Sequence, residues 1–170
     1  DFTKDLVAGL AELLDGLTVV SGLAYGIDVS AHKGALASGV PTAAVVAHGL
    51  NTIYPADHRD IARRMIHEGG AIVTEYPSGA QIHRGNFLAR NRIVAGLSDA
   101  VIVVESDTRG GALATARIAA GYNRLVGAVP GRVTDRYSRG CNALLATQTA
   151  VIIRSADDLV EAMNWTARRR

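Results

Sequence analysis

The segment Arg84-Gly-Asn-Phe-Leu-Ala-Arg-Asn-Arg92 holds three guanidiniums, two side-chain amides and one aromatic ring within nine residues. Arginine forks match phosphate oxygens, an aromatic ring can stack on a base, and a helix start adds bare N–H donors for an anion. The segment follows an apolar run ending at Glu75-Tyr76 and a Pro-Ser-Gly turn, and it opens an apolar helical pattern. That combination points to a nucleotide or nucleic-acid ligand. The competing reading buries Phe87 as a core anchor, leaves the arginines in solvent, and gives Asn86 the role of helix cap.

Four other loops carry polar chemistry. In Ser21-Gly-Leu-Ala-Tyr-Gly-Ile-Asp28, Gly22 and Gly26 let the backbone approach an anion beside a helix start. It is neither G-x-G-x-x-G nor a Walker loop, and it reads equally as a tight turn capped by Asp28 or Ser30. The loop from Ala47 to His58 offers His48, Asn51, Tyr54 and His58 without the paired spacing of a metal site. Loop-structuring roles are expected there, with Asp57 as a cap. Arg109-Gly110-Gly111 forms a second anion-cradling turn. Glu75 and Glu105 end apolar runs and are expected to bind loop amides rather than form a carboxylate pair. In the segment from Pro130 to Asn142, Arg132, Arg136 and Arg139 are expected to be exposed on a lid or rim.

The elements that must position these loops alternate along the chain. Apolar runs at 17–21, 42–47, 71–75, 100–105 and 125–129 are followed by Gly or Pro and then by helical patterns. Helices are expected at 2–14, 29–38, 58–68, 87–97 and 112–122, then a helix at 141–147, a strand at 150–154 and a helix at 155–164. Strands that are apolar throughout imply an α/β fold: a doubly wound, mostly parallel, Rossmann-like sheet with helices on both faces. Ligands of such folds bind at the carboxyl ends of the strands, where all five loops fall. The chain opens on a helix, so a first strand is expected to be missing from it.

Composition narrows the classes further. Residues 1–80 carry 5 basic and 9 acidic side chains, whereas residues 81–170 carry 13 and 7, and all thirteen are arginine. Solvated surface accounts for part of this, including Arg168-Arg169-Arg170. Arginines at loop–helix junctions fit bidentate phosphate binding better. The lone Cys141 excludes a disulfide framework and reads as a structural thiol. No apolar run reaches membrane-spanning length and no signal peptide is evident, so a soluble, cytoplasmic protein is expected.

Ordered motifs then identify a resemblance. Ser21-Gly-Leu-Ala-Tyr-Gly-Ile-Asp28, Ala31-His32, Ile53-Tyr54-Pro55, Gly85-Asn86-Phe87 and Arg90-Asn91-Arg92-Ile93 occur in sequence. They are followed by Val104-Glu105, Gly110-Gly111, Thr115-Ala116, Val129-Pro130-Gly131 and Ser138-Arg139-Gly140-Cys141-Asn142. Together they resemble the DprA family, also called Smf, over almost the whole chain. The resemblance implies a single Rossmann-like core domain spanning 1–170, without the flanking helical and winged-helix domains of the family. It also implies single-stranded DNA binding in natural transformation, protection of incoming strands, loading of the RecA recombinase and a homodimer, with no catalysis and no cofactor. The family's basic pocket and base-contacting aromatic carry over to Arg84 and Phe87, with Arg90 and Arg92 alongside. Gly22, Gly26, Gly110 and Gly111 would meet phosphates through backbone N–H groups, with Tyr25 and Arg109 nearby. Many members have Arg or Lys at the position of Tyr25, where this chain offers a stacking ring. The usual first strand ending in Val-Gly-Ser-Arg is also missing.

Two other readings compete. Phosphoribohydrolases have a similar fold, but they carry Pro-Gly-Gly-x-Gly-Thr and a catalytic Glu where this chain reads Arg109-Gly-Gly-Ala-Leu-Ala-Thr-Ala116. Dinucleotide redox chemistry lacks both its glycine fingerprint and the acidic residue that would hold a ribose.

Overall fold

The computed structural model describes residues 1–168; Arg169 and Arg170, from the terminal arginine run, lie outside the described residues. Seven helices and six strands alternate along the described chain. The chain divides into two compact units, Asp1–Arg90 and the residues from Asn91 onward.

The first unit begins with α1 (Phe2–Leu13), whose Asp1 cap accepts the Thr3 amide at 3.1 Å. It continues through β1 (Val19–Ser21), α2 (Ile27–Ala37), β2 (Thr42–Val45), α3 (Arg59–His67) and β3 (Ala71–Val73). The strands form a parallel three-stranded sheet in the order β1-β2-β3, with Val19 opposite Thr42 and Ala43 opposite Ala71. Leu23, Leu36, Ala44, Val46, Ala62 and Met65 make one core cluster of this unit.

α4 (Arg84–Leu97) leads into the second unit, which holds β4 (Ala100–Val103), α5 (Gly111–Gly121), β5 (Leu125–Ala128), α6 (Arg139–Ala146), β6 (Val151–Ile152) and α7 (Ala156–Ala162). Its sheet is also parallel, in the order β4-β5-β6. Ala95, Val103, Leu113, Ala116, Ala119, Val126, Ala128, Cys141 and Leu144 form its core. The close packing leaves no room for a side chain at Gly127, where a Cβ would lie 2.6 Å from Ile153 and 2.7 Å from Ile102.

The α/β, parallel, Rossmann-like class read from the sequence is the observed one, with the strands distributed over two three-stranded sheets. Three local expectations are corrected. α4 begins at Arg84 rather than Phe87, so Asn86 lies inside the first turn and does not cap it. Its amide instead donates to the Ala47 carbonyl at 3.4 Å and the Gln81 carbonyl at 3.2 Å. Gly26, not Asp28 or Ser30, stands at the cap of α2, with φ at +82°. Asp57 falls within a 3₁₀ turn (Ala56–His58) and caps no helix.

Candidate functional site

In the first unit, the β1–α2 loop is built by buried hydrogen bonds. Leu23 takes the left-handed conformation, φ +60°, with a fully buried side chain, a costly state for a branched residue. His58 Nδ1 meets its carbonyl at 2.7 Å, so the imidazole donates there and holds the bend. Asp28 accepts Ser21 Oγ at 2.7 Å and the Ala24 amide at 3.2 Å, closing the turn from the other side. Tyr25 is thereby pushed out and is 63% exposed. Its hydroxyl donates to Asp57 at 2.8 Å, and its ring meets His58 edge-on at 4.9 Å. That bond to a carboxylate raises the phenol pKa.

The loop after β2 is equally fixed. His48 is buried; its Nδ1 lies 2.9 Å from the Gly49 carbonyl, and Nε2 accepts the Tyr54 amide at 3.1 Å. These two partners set one tautomer, with the proton on Nδ1. Asn51 Oδ1 accepts the Gly79 amide at 2.9 Å, and Thr74 Oγ1 donates to the His48 carbonyl at 2.7 Å. The expected loop-structuring roles of His48 and Asn51 are visible in these bonds. They leave Tyr54 about half exposed, its ring 5.8 Å from that of Phe87.

The opening turns of α4 separate the arginines by role. Arg84 is exposed and makes no hydrogen bond or ion pair with the described residues. Phe87, one turn later, is partly buried between Tyr54 and Arg90, whose guanidinium carbon lies 5.8 Å from the ring centroid. Arg90 is only 5% exposed, and its Nη1 donates to the carbonyls of Gly22 and Val45. Burial lowers its pKa. Expected beside a ligand, Arg90 instead lies inside the unit, tying α4 to the strand ends. Arg92 is exposed.

In the second unit, Arg109 is exposed, Gly110 stands at the cap of α5 and Gly111 is its first residue. A Cβ at Gly110 would lie 2.2 Å from Ser106 Oγ, so a larger residue there would have to turn the serine hydroxyl aside. The segment expected as a lid or rim is pinned to its neighbours. Gly131 and Asn142 exchange two hydrogen bonds at 3.2 and 3.0 Å, and Arg136 Nε donates to Asp107 at 2.6 Å. That ion pair, helped by the Thr108 amide, holds the Asp107 carboxyl below its ordinary pKa. Cys141 is fully buried, its thiol donates to the Val103 carbonyl at 3.4 Å, and burial pushes its pKa up, as suits a structural thiol.

Tyr54 lies against Phe87 although little in the sequence marks it. Its place in an Ile-Tyr-Pro run gave no signal of contact with Phe87, 33 positions away in the chain. Among the described residues no helix is long and apolar enough to cross a membrane.

The sequence model of the family described as DNA recombination-mediator protein A matches residues 1–164. The chain is 48% identical over 157 residues to a protein of Mycobacterium tuberculosis that carries the DprA name, covering 92% of this chain and 39% of that protein. It is 41% identical over 150 residues to protein Smf of Escherichia coli, covering 88% and 40%. Two solved structures superpose with a TM-score of 0.83. One is DprA from Streptococcus pneumoniae, 37% identical, covering 94% of this chain and 55% of that one. The other is DprA from Helicobacter pylori, 31% identical, covering 95% and 72%, and described for its single-stranded DNA binding mode. The chain thus spans about two fifths of the length of these curated relatives.

Proposed function

The chain belongs to the DNA recombination-mediator protein A family, and from that premise we infer that it is a non-enzymatic, single-stranded DNA-binding segment of a DNA-processing protein. The observation that carries this is the start of α4. Arg84 offers a free, exposed guanidinium one turn before Phe87, whose ring lies beside the exposed Tyr54. A phosphate on Arg84 and a base against the aromatic pair would use both. In this reading Tyr25, Gly22 and Gly26 add contacts within the first unit. Arg109, Gly110 and Gly111 offer phosphate contacts in the second, and exposed Arg92 adds charge. Arg90 belongs to the scaffold in this reading.

In the whole protein, the bound strand would be one taken up in natural transformation, protected and passed to RecA by a homodimer in the cytoplasm. The family resemblance supports those steps. The similar Helicobacter pylori protein, described for single-stranded DNA binding, supports the ligand.

Titrating the 170-residue chain with labelled single-stranded and duplex oligonucleotides across a salt series tests the reading. Log affinity for the single strand should fall linearly with log salt, by about 0.7 per phosphate neutralised, with duplex bound more weakly. Equal binding of duplex, or no salt dependence, would overturn it. Release of free base from nucleoside monophosphates would favour the phosphoribohydrolase reading instead.

A further inference from the structure

The 3₁₀ turn Arg136–Ser138 in the second unit fixes a tyrosine backbone on both sides and leaves its ring in solvent. The Tyr137 carbonyl accepts the Ser106 amide at 2.7 Å, and its amide donates to Asp135 Oδ1 at 3.1 Å. Ser138 Oγ holds the other Asp135 oxygen at 2.9 Å, and Gly140 N donates to the Ser106 carbonyl at 2.8 Å. Gly140 has no space for a Cβ, which would lie 2.7 Å from that carbonyl. With the Arg136–Asp107 pair at 2.6 Å, the turn is clamped onto the loop after β4.

Yet Tyr137 is 57% exposed, with the Arg136 guanidinium carbon 5.8 Å from its ring centroid. Such a clamp fixes the backbone that carries the ring and leaves the ring exposed. The charges on these loops are also uneven, with the exposed Glu105 the one carboxylate without a hydrogen bond or ion pair among the described residues. Asp107 is committed to Arg136 and Thr108, and Asp135 to Tyr137 and Ser138. Arg109, Arg132 and Arg139, on the same two loops and the start of α6, are exposed and make no hydrogen bond or ion pair through their side chains with the described residues.

We propose that this face of the second unit is a further binding surface for single-stranded nucleic acid. Tyr137 is its stacking platform, and Arg109, Arg132 and Arg139 are its phosphate contacts. An exposed ring on a fixed backbone suits unpaired bases, because duplex bases already stack on each other. Free arginines around it suit a phosphate backbone. The proposal rests on the single-strand reading above but uses none of the residues at the start of α4.

The test compares Tyr137→Ala, Tyr137→Phe and the double variant Arg132→Ala/Arg139→Ala with the unaltered chain, by fluorescence anisotropy on a labelled oligo-dT. Circular dichroism checks that each variant is folded. Tyr137→Ala should weaken binding about 5- to 30-fold, while Tyr137→Phe, which keeps the ring, should stay within about twofold. The double variant should lower the salt slope by about 1.4. If the unaltered chain does not bind single strands, the functional reading fails and takes this surface with it. If Phe87→Leu weakens binding but the Tyr137 and double variants do not, this surface alone is refuted. Equal loss in Tyr137→Phe and Tyr137→Ala also refutes it. So does binding of an acidic peptide in preference to oligo-dT.

Discussion

Arg90 Nη1 donates to the carbonyl of Gly22 at 2.8 Å, joining residues 68 positions apart. The same nitrogen donates to the Val45 carbonyl, so one guanidinium ties α4 to the ends of β1 and β2. Gly22 makes this approach possible: a Cβ there would lie 2.5 Å from Arg90 Nη1 and 2.7 Å from Cζ. A flexible arginine tip could normally move aside, but this one is buried and held.

Arg90→Met should therefore leave two strand-end carbonyls short of a donor and cost about 2–4 kcal/mol of stability. Gly22→Ala should cost about 1–3 kcal/mol by evicting the guanidinium. The two losses share one cause, so in a double-mutant cycle followed by urea unfolding Gly22→Ala should cost less than half as much once Arg90 is Met. Strictly additive losses would show that Gly22 and Arg90 are not coupled.

The alternation of apolar runs with Gly- or Pro-led helices was legible because parallel strands leave a continuous apolar signature. α1 shows as much: the periodicity of Leu6, Leu10 and Leu13 marks a helix that the structure ends at Leu13. The start of α4 was hidden because Gly85, a weak helix former, lies in its first turn. The role of Arg90 was out of reach for a different reason. Its partners are backbone carbonyls of residues 22 and 45, and a carbonyl leaves no trace in side-chain spacing. Asp57 misled similarly, since its partner Tyr25 lies 32 positions upstream.

His32 provides a pH test of the first unit. It is fully buried, and its Nδ1 lies 2.7 Å from Thr42 Oγ1, which itself donates to the Val19 carbonyl. Nδ1 must therefore carry the proton, and Nε2 is buried without a partner. Desolvation lowers the imidazole pKa from 6.5 to about 4, opposed by Asp28 and assisted by His58. Between those values the unfolded chain binds more protons than the folded one, so this contribution to stability is complete above pH 6.5 and disappears as the pH falls towards 4. The full swing is on the order of 3 kcal/mol. Urea unfolding between pH 4 and 7 should show this slope diminished in His32→Phe. An unchanged slope would assign the acid sensitivity to carboxylates.

Tyr25 is held by Asp57 and His58 while its ring faces solvent. Tyr25→Phe removes an exposed bond only and should leave the melting temperature unchanged. Tyr25→Arg replaces this exposed ring with a cation. It should raise single-strand affinity about two- to fivefold and steepen the salt slope by up to about 0.7, with Asp57 competing for the new charge. A loss of affinity would mean that the ring itself contacts the ligand.

Arg84 and Phe87 should separate into charge and stacking when measured together. Arg84→Ala removes a free guanidinium, so affinity should drop most at low salt and the salt slope should shrink by about 0.7. Phe87 also touches Tyr54 and Arg90, and truncation to alanine would mix lost stacking with lost packing. Phe87→Leu keeps apolar bulk against Tyr54 while removing the ring. It should weaken oligo-dT binding about 5- to 30-fold at every salt concentration and leave the slope unchanged, because stacking releases no counterions. If Phe87→Leu binds like the unaltered chain, the ring is a packing element and the base must be read elsewhere. If neither variant alters affinity at low salt, the start of α4 is not the contact surface.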